Sequence, residues 1–460
     1  MILDNIATRE YFSAPSVVFD SCLYVVNSDK TLVIDKPKSW QLSNQITSDK
    51  LHILLVTETW WPDVNGVAMS LQRIMKQTAG LGHKISLVRP KPMSDQALGN
   101  RSGVHNLATA QSFVMNDIQV KGMSIPKYSS LQFGLPSYFK VKRELEAIRP
   151  DIVHIATEGP LGLAALMAAK SLKIPATTGY HTQFHDFSKH FGLGCLARPM
   201  MAYFKWFHNA SKATCVPSKK TFNDLKKIGF KRLYEVGRGV DLAQFNSAHR
   251  SDELREQWGA QQHHTVLVMV SRLSPEKDID LVIKSFRTLQ HTQLQRALKL
   301  VIVGDGPDRA RLEVSAKESS NDIIFAGTQT GRDLSQHYAS ADAFVFASQV
   351  ETFGNVVIEA MATGLPVYAF DDAAAGMLVT EDTGRLATLG NKQEFIDLVA
   401  NLPEMQQLKQ QGQQAASSVS GFSWQRPANQ MLTMFYNAIG KQKMSPSEMQ
   451  DQVVLRNQNL

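Results

Sequence analysis

Three stretches carry residues whose chemistry asks for an explanation. In "ETFGNVVIEAMATGLPV", Glu351 and Glu359 stand eight positions apart, around a loop that opens a helix. The first N–H groups of a helix lack internal partners and hold partial positive charge, so the turn Thr352-Phe353-Gly354-Asn355 suits a phosphate. Glu359 can accept two hydrogen bonds from a ribose diol, and Glu351 can accept from sugar hydroxyls. The competing reading is structural: Glu351 caps the helix and Glu359 is solvated. In "SRLSPEKD", after an apolar run, Arg272 and Lys277 can bracket a diphosphate, or form an ordinary surface salt bridge. In "VTETWWPDVNGVAMSLQRI" the chain passes through Trp60, Trp61 and a proline into Asn-Gly. A plain strand-to-helix turn does not need that sequence, so something is expected to approach the backbone at Gly66. The tryptophans either wall a cleft or pack beneath the loop.

The string Asp278-Ile279-Asp280 spells D-x-D, which metal-dependent transferases use to hold a divalent ion. Here it opens a helix after Pro275, where acidic residues cap the positive end. With arginine and lysine supplying countercharge, no metal and no other cofactor is expected.

The elements that must position these residues repeat as strand, loop, helix. "LHILLVT", "KISLVRP", "DIVHIAT", "PATTGYH" and "KATCVPS" are short apolar runs fit for buried parallel strands. The pattern pauses over the polar "DLAQFNSAHRSDELREQWGAQQHH" and restarts with "TVLVMVSRL", "LKLVIVGDG", "DIIFAG", "AFVFAS" and "PVYAF". Two doubly wound α/β domains are predicted, over residues 51–245 and 246–420. Residues 421–440 read as a terminal helix with Trp424, Met431 and Phe435 on one face, and 441–460 as a polar tail. Residues 1–50 read as an extension of no assigned role, with a hairpin of "CLYVV" and "KTLVID" expected across "NSDK". In such sheets ligands sit beyond the carboxyl ends of the strands, so the motif loops face a shared cleft.

Composition bounds the partners. With 43% hydrophobic and 20% charged residues, the chain reads as a globular protein, without a run long enough to span a bilayer. The first 50 residues lack the basic start and uninterrupted apolar core of a signal peptide. Cys22, Cys195 and Cys215 are scattered without metal spacing, which fits a reducing compartment. The net charge of +7 suits phosphates on a substrate or an anionic lipid surface. No pattern for nucleic acid is present, so none is expected as a partner.

"SRLSPEKD", "VIVGDGPDRARLE" and "ETFGNVVIEAMATGLPV", in that order and spacing, resemble the carboxyl-terminal domain of the retaining, GT-B-type glycosyltransferases of sequence family 4. "LLVTETWWPDVNGV" resembles their first glycine loop, "GYHTQF" their histidine loop and "GRGVDLAQF" their inter-domain segment. The similarity covers about residues 51–440. It points to the lipid-glycosylating subgroup: phosphatidylinositol mannosyltransferases, sulfoquinovosyl-diacylglycerol synthases and bacterial glycolipid synthases. The fold this implies is GT-B: two Rossmann-like domains facing a central cleft, with the terminal helix crossing back to the first.

The resemblance assigns roles. Glu351 contacts the donor sugar and Glu359 the ribose. Phe353, Gly354 and Asn355 present N–H groups to the diphosphate and sugar, and Arg272 and Lys277 hold the diphosphate. Gly66 lets the first loop close on it from the other side. His181, followed by Thr182 and Phe184, lies near the reacting carbon; His185 and His190 stay as surface or acceptor-side groups. Base readers are expected near Gly304, "FAGTQ" and Val350. The catalytic set is then His181, Arg272, Lys277 and Glu351. The acceptor attacks from the leaving group's side with retention, and the departing phosphate takes its proton. Two departures stand out: Asp278 where relatives have glycine, and "DDAAAG" where many have Gly-Gly. Asp371 and Asp372 would oppose a sulfonated donor by like charge, which favours a neutral hexose.

The donor expected is a UDP- or GDP-hexose and the acceptor a lipid or glycan. "LGCLARPMMAYFKWFHN" spaces Leu196, Met200, Phe204 and Phe207 along one helical face, either toward an anionic membrane or toward the core. The location implied is cytoplasmic, peripheral on the inner face of the plasma membrane. The alternatives are a transferase for a soluble or polysaccharide acceptor and a catalytically silent nucleotide-sugar-binding subunit.

Overall fold

The computed structural model describes residues 16–19, 22–27, 30–35, 50–61, 63, 65–92, 112–125, 128–181, 197–317 and 321–441. The N-terminal unit contains a three-stranded antiparallel sheet of β1 (Ser16–Phe19), β2 (Cys22–Asn27) and β3 (Lys30–Asp35). β2 and β3 pair as the expected hairpin, with Asn27 opposite Lys30.

From Leu51 onward the chain builds two parallel sheets. The first is made of β4 (His52–Val56), β5 (Lys84–Pro90), β6 (Val114–Val120), β9 (Ile152–Ile155), β10 (Ala176–Gly179), β11 (Ala213–Val216) and β12 (Leu233–Glu235). Their order is β12-β11-β10-β9-β4-β5-β6, and β7 (Gly122–Ile125) and β8 (Tyr128–Gly134) form a separate hairpin. The described helices of this lobe are α1 (Gly66–Gly80), α2 (Tyr138–Ile148), α3 (Pro160–Ser171), α4 (Ala197–Asn209) and α5 (Lys219–Lys227).

The second sheet is made of β13 (Thr265–Val270), β14 (Leu298–Val303), β15 (Ile323–Gly327), β16 (Ala343–Phe346), β17 (Val367–Phe370) and β18 (Gly384–Ala387), in the order β15-β14-β13-β16-β17-β18. Around it lie α6 (Asp252–Gln257), α7 (Ile279–Thr292), α8 (Arg309–Lys317), α9 (Gly331–Ala339), α10 (Asn355–Ala362), α11 (Ala373–Leu378), α12 (Lys392–Ala400) and α13 (Met405–Ser418). β13 and β16 are buried along their whole length, which is why their sequences are unbroken apolar runs.

In each sheet the chain first winds outward in one direction and then returns to wind in the other. The direction changes between β4 and β9 in the first lobe and between β13 and β16 in the second. Crevices at such points bind ligands. The loop after β4 carries Gly66, that after β13 carries Arg272 and Lys277, and that after β16 carries Glu351.

The last helix, α14 (Gln425–Ala438), returns to the first lobe. Trp424, Met431 and Phe435, predicted as one face, are buried there with Leu71, Ile74 and Met75 of α1. Each such side chain contributes roughly 1.5–3 kcal/mol. The face predicted for α4 belongs to the core. Phe207 and Phe204 are buried, and Met200 packs beside Phe204. That stripe is therefore not the membrane surface; α4 shows solvent only Trp206, 55% exposed, among its large apolar side chains.

Candidate functional site

β13 ends at Val270 and releases the loop that carries Arg272 and Lys277. The loop is strapped to the one after β14: Ser271 N donates to Val303 O at 3.0 Å, and Leu273 N to Asp305 O at 3.0 Å. Gly304 has φ +139°, and a Cβ there would stand 1.8 Å from Ser271 O. Gly304 was predicted among the donor-binding residues; packing by itself already requires glycine at that position. On this base the Arg272 guanidinium is partly buried and has no hydrogen-bond or ion-pair partner among the described residues. Lys277 Nζ lies 2.5 Å from Glu351 Oε1, 3.3 Å from Ser348 Oγ and 3.4 Å from Val350 O. The cation expected on the diphosphate and the carboxylate expected on the sugar thus hold each other across the switch point, in a charge-assisted pair that orients both.

Glu351 leads into the turn that starts α10. Phe353 is buried in the core and anchors it, and Gly354 is left-handed, with φ 87° and ψ 63°. The turn brings the N-terminus of α10 against that of α1. Asn355 Nδ2 donates to Ser70 Oγ at 3.1 Å, and Ser70 Oγ donates to Gly66 O at 2.6 Å. Asn355 Oδ1 is buried without a donor. On the α1 side, Asn65 is the N-cap, accepting from Val67 N at 3.1 Å and Ala68 N at 2.9 Å. Gly66 follows with no positive φ, and a Cβ on it would meet only Asn355 Nδ2, at 4.0 Å. Neither its conformation nor its packing needs glycine, so open space is left beside both helix ends. Trp60 is 2% exposed in the first-lobe core, so it packs beneath this loop and does not wall a cleft.

Glu359 is not a solvated surface acid. Tyr338 OH donates to its Oε2 at 3.2 Å. Burial pushes its carboxyl up to about 7, against the opposing pull of Arg73 from α1.

His181 follows β10. Its carbonyl accepts from Thr352 Oγ1 at 3.0 Å, which ties it to the residue beside Glu351. Its ring folds back over Gly179, where a Cβ would stand 2.5 Å from Nε2. His154 of β9 and Cys215 of β11 flank that seat, and the three ligand atoms lie within 4.8 Å of one another, all buried. Two imidazoles and a thiol are soft-metal ligands by type. Arg238, however, donates from Nη2 to His181 Nδ1 at 3.2 Å. A guanidinium only donates, so Nδ1 accepts and the ring proton sits on Nε2, which leaves no lone pair for an ion. The nearby cation also repels one. Arg238 was quoted within "GRGVDLAQF" without a role; residue type gave no hint of this contact.

The D-x-D carboxylates do not converge. Asp278 takes φ 47°, the left-handed region that favours glycine, and makes no side-chain cap. It pairs instead with Lys392 at 2.6 Å and Gln349 at 2.9 Å. Asp280 holds Arg311 through both oxygens, at 3.0 and 2.7 Å. The expected capping role is thus replaced by ion pairs. Asp372 pairs with Lys220 of the first lobe, so the like-charge argument against a sulfonated sugar loses one of its two carboxylates. Thr182, Phe184, His185, His190, Cys195 and Leu196 lie outside the described residues.

The model of the family described as Glycosyltransferase Family 4 matches residues 64–244, and that of Glycosyl transferases group 1 matches residues 250–418. A GDP-mannose-dependent alpha-mannosyltransferase of Mycobacterium tuberculosis is 33% identical over 83% of this chain and 95% of its own. An alpha-monoglucosyldiacylglycerol synthase of Streptococcus pneumoniae is 28% identical over 72% of this chain and 74% of its own. Among solved structures, the Anabaena protein HepE in complex with UDP-glucose aligns with a TM-score of 0.66 at 18% identity, over 84% of this chain and 100% of that one. At that identity the likeness is one of fold.

Proposed function

The chain belongs to the family 4, group 1 glycosyltransferases, and from that premise we propose that it moves a hexose from a nucleoside-diphosphate sugar to a hydroxyl of a membrane lipid or glycolipid, with retention and without a bound metal ion. The observation that carries this reading is the meeting of two helix N-termini. Gly66 and Ser70 of α1 face Asn355 of α10, and Arg272 has no acid to neutralise it among the described residues. Two positive helix ends and an unpaired guanidinium form a receptor for a diphosphate.

In this reading the diphosphate lies between α1 and α10. Lys277 exchanges Glu351 for a phosphate oxygen, which frees Glu351 for the sugar hydroxyls. Glu359 receives the ribose diol. As the anomeric C–O bond to phosphate breaks, the charge left on oxygen is met by donors already in place, usually the largest catalytic term. The acceptor hydroxyl forms the new C–O bond on the face the phosphate leaves, and its proton goes to the departing phosphate oxygen.

The relatives favour a UDP- or GDP-hexose, since one is named for GDP-mannose and HepE was solved with UDP-glucose. The pneumococcal relative, named for a diacylglycerol product, favours a lipid acceptor. So does α2, which turns Phe139, 85% exposed, outward with exposed Lys140 and Arg143. An apolar ring among cations suits an anionic bilayer. No helix among the described residues is long and apolar enough to cross a membrane. With a lipid acceptor, the reading has the enzyme work peripherally, on the inner face of the plasma membrane.

The test is incubation with UDP-glucose, UDP-galactose and GDP-mannose in the presence of diacylglycerol or glycolipid vesicles, with product masses measured. A hexosyl lipid is expected from at least one donor. Hexosylated soluble sugars without any lipid product would overturn the acceptor assignment. Phe139→Glu should weaken co-sedimentation with anionic vesicles.

A further inference from the structure

We propose that Arg238 is a positioning residue of this enzyme: it locks His181 in the Nε2–H tautomer, so that the histidine meets the donor sugar as a hydrogen-bond donor and not as a base. The inference rests on the reading that His181 works on the donor.

Arg238 is 6% exposed, and no carboxylate among the described residues lies within ion-pair distance of it. Its other contacts are the carbonyls of Val236 and Gly237, at 3.5 and 3.4 Å. The contact at 3.2 Å to His181 Nδ1 is its shortest. A buried cation is costly without a paired anion, so its retention here calls for another purpose. Its backbone is fixed from outside the loop. A Cβ on Gly239 would strike Trp424 N at 2.7 Å, and Gly237 N donates to Gln430 Oε1 at 3.0 Å. The start of α14 therefore sets where the guanidinium stands.

The remaining groups facing the ring do not supply the missing proton contact. His154 comes from β9, Cys215 from β11 and His208 from α4. Burial holds the imidazole of His154 down at about 3 and the thiol of Cys215 up at about 12, so both stay neutral. The His181 Nε2–H is buried without a partner. It is therefore free for a sugar hydroxyl or ring oxygen while Nδ1 keeps its contact to Arg238. The carbonyl contact to Thr352 keeps the residue beside Glu351. An orienting group that fixes an imidazole tautomer acts without touching substrate.

The test uses the full chain with nitrogen-15 histidine. The ring-nitrogen shifts of His181, assigned by comparison with His181→Gln, should show Nε2–H in the wild type. They should show a mixture in Arg238→Met, with Arg238→Lys restoring the wild-type pattern. In Arg238→Met kcat should fall on the order of 10- to 100-fold with KM for donor changing less. The acid limb of the kcat/KM profile should also move to higher pH, because a repelling cation has gone. Wild-type shifts and pH profile in folded Arg238→Met would overturn the proposal. If His181→Gln itself kept full turnover, the role given to the histidine would fail, whatever the tautomer.

Discussion

The two lobes bring opposite kinds of chemistry to their junction. In the second, the charges stand in loops where a ligand can reach them: Arg272 is unpaired among the described residues and Lys277 rests on Glu351, all partly exposed. In the first, the polar groups behind the junction are buried and mostly uncharged, with His154, His181 and Cys215 together at 7% exposure or less. A leaving diphosphate needs reachable cations, whereas orienting a sugar needs donors that do not titrate. The glycines repeat the contrast. Gly304 in the second lobe is glycine for the sake of the fold; Gly66 in the first is required by neither its conformation nor its packing.

That contrast gives the largest predicted effect. Gly304→Ala combines φ +139° with a Cβ 1.8 Å from a backbone oxygen, so it should cost more than about 4 kcal/mol and lower Tm steeply in calorimetry. Gly66→Ala should leave stability unchanged within about 0.5 kcal/mol, with no clear shift of Tm, while KM for donor rises on the order of tenfold. Equal Tm losses in the two variants would erase the distinction between the lobes.

Next in size is Lys277→Ala. Removing one preorganised donor at a developing oxyanion typically costs about 10²- to 10³-fold in kcat, and that loss is expected in steady-state release of the nucleoside diphosphate. The cut also leaves Glu351 without its 2.5 Å partner. Lys277→Ala/Glu351→Gln therefore separates the two contributions. A double variant as slow as the single one assigns the loss to the missing cation and not to the stranded acid.

Glu359 supplies a pH dependence. Its carboxyl is raised from 4.5 to about 7, chiefly by burial. Below that value it is protonated and offers the ribose one good acceptor; above it, both oxygens accept. KM for donor should thus fall as pH rises through about 7, and Glu359→Gln should flatten the curve at the weaker limit. Stability runs the other way. A folded-state value above the unfolded one stabilises fully below 4.5 and is lost as pH rises through about 7. Relative to Glu359→Gln, the wild type should lose on the order of 3 kcal/mol over that interval in chemical unfolding.

How much of this was legible in the sequence follows from range. β13, β14 and β16 are buried on both sides, so their apolar runs speak for themselves. β6, "VMNDIQV", lies mostly exposed at the sheet edge and β12 has only three residues, so neither gave a signal. Arg272, Lys277, Glu351, Gly354 and Glu359 sit in compact motifs whose residue types state their chemistry. The contacts that complete the site do not. Arg238 reaches His181 across 57 positions and Asn355 reaches Ser70 across 285, and nothing local to any of them encodes the meeting. The salt bridge allowed for Lys277 is present, but its partner was not legible: Glu351 lies 74 positions away and was read as a sugar ligand or a helix cap.

The smallest effect concerns how the lobes hold each other. Lys220 of α5 pairs with Asp372 at the start of α11; the lysine side chain is 57% exposed and the carboxylate 8%. An ion pair with one end in water contributes about 1 kcal/mol or less and weakens with salt. The partners are unequal, however. Asp372→Asn leaves a solvated lysine that loses little, so donor KM should change by no more than about fivefold. Lys220→Met strands a carboxylate that is almost out of water, so it should cost more than its partner's substitution. If the pair only closes the lobes, raising salt should move the wild type toward Asp372→Asn and leave Asp372→Asn itself nearly unchanged. Equal salt responses in wild type and Asp372→Asn would mean that the pair is not what links the lobes, and uncharged contacts such as Asn355 to Ser70 and Thr352 to His181 would then carry that role.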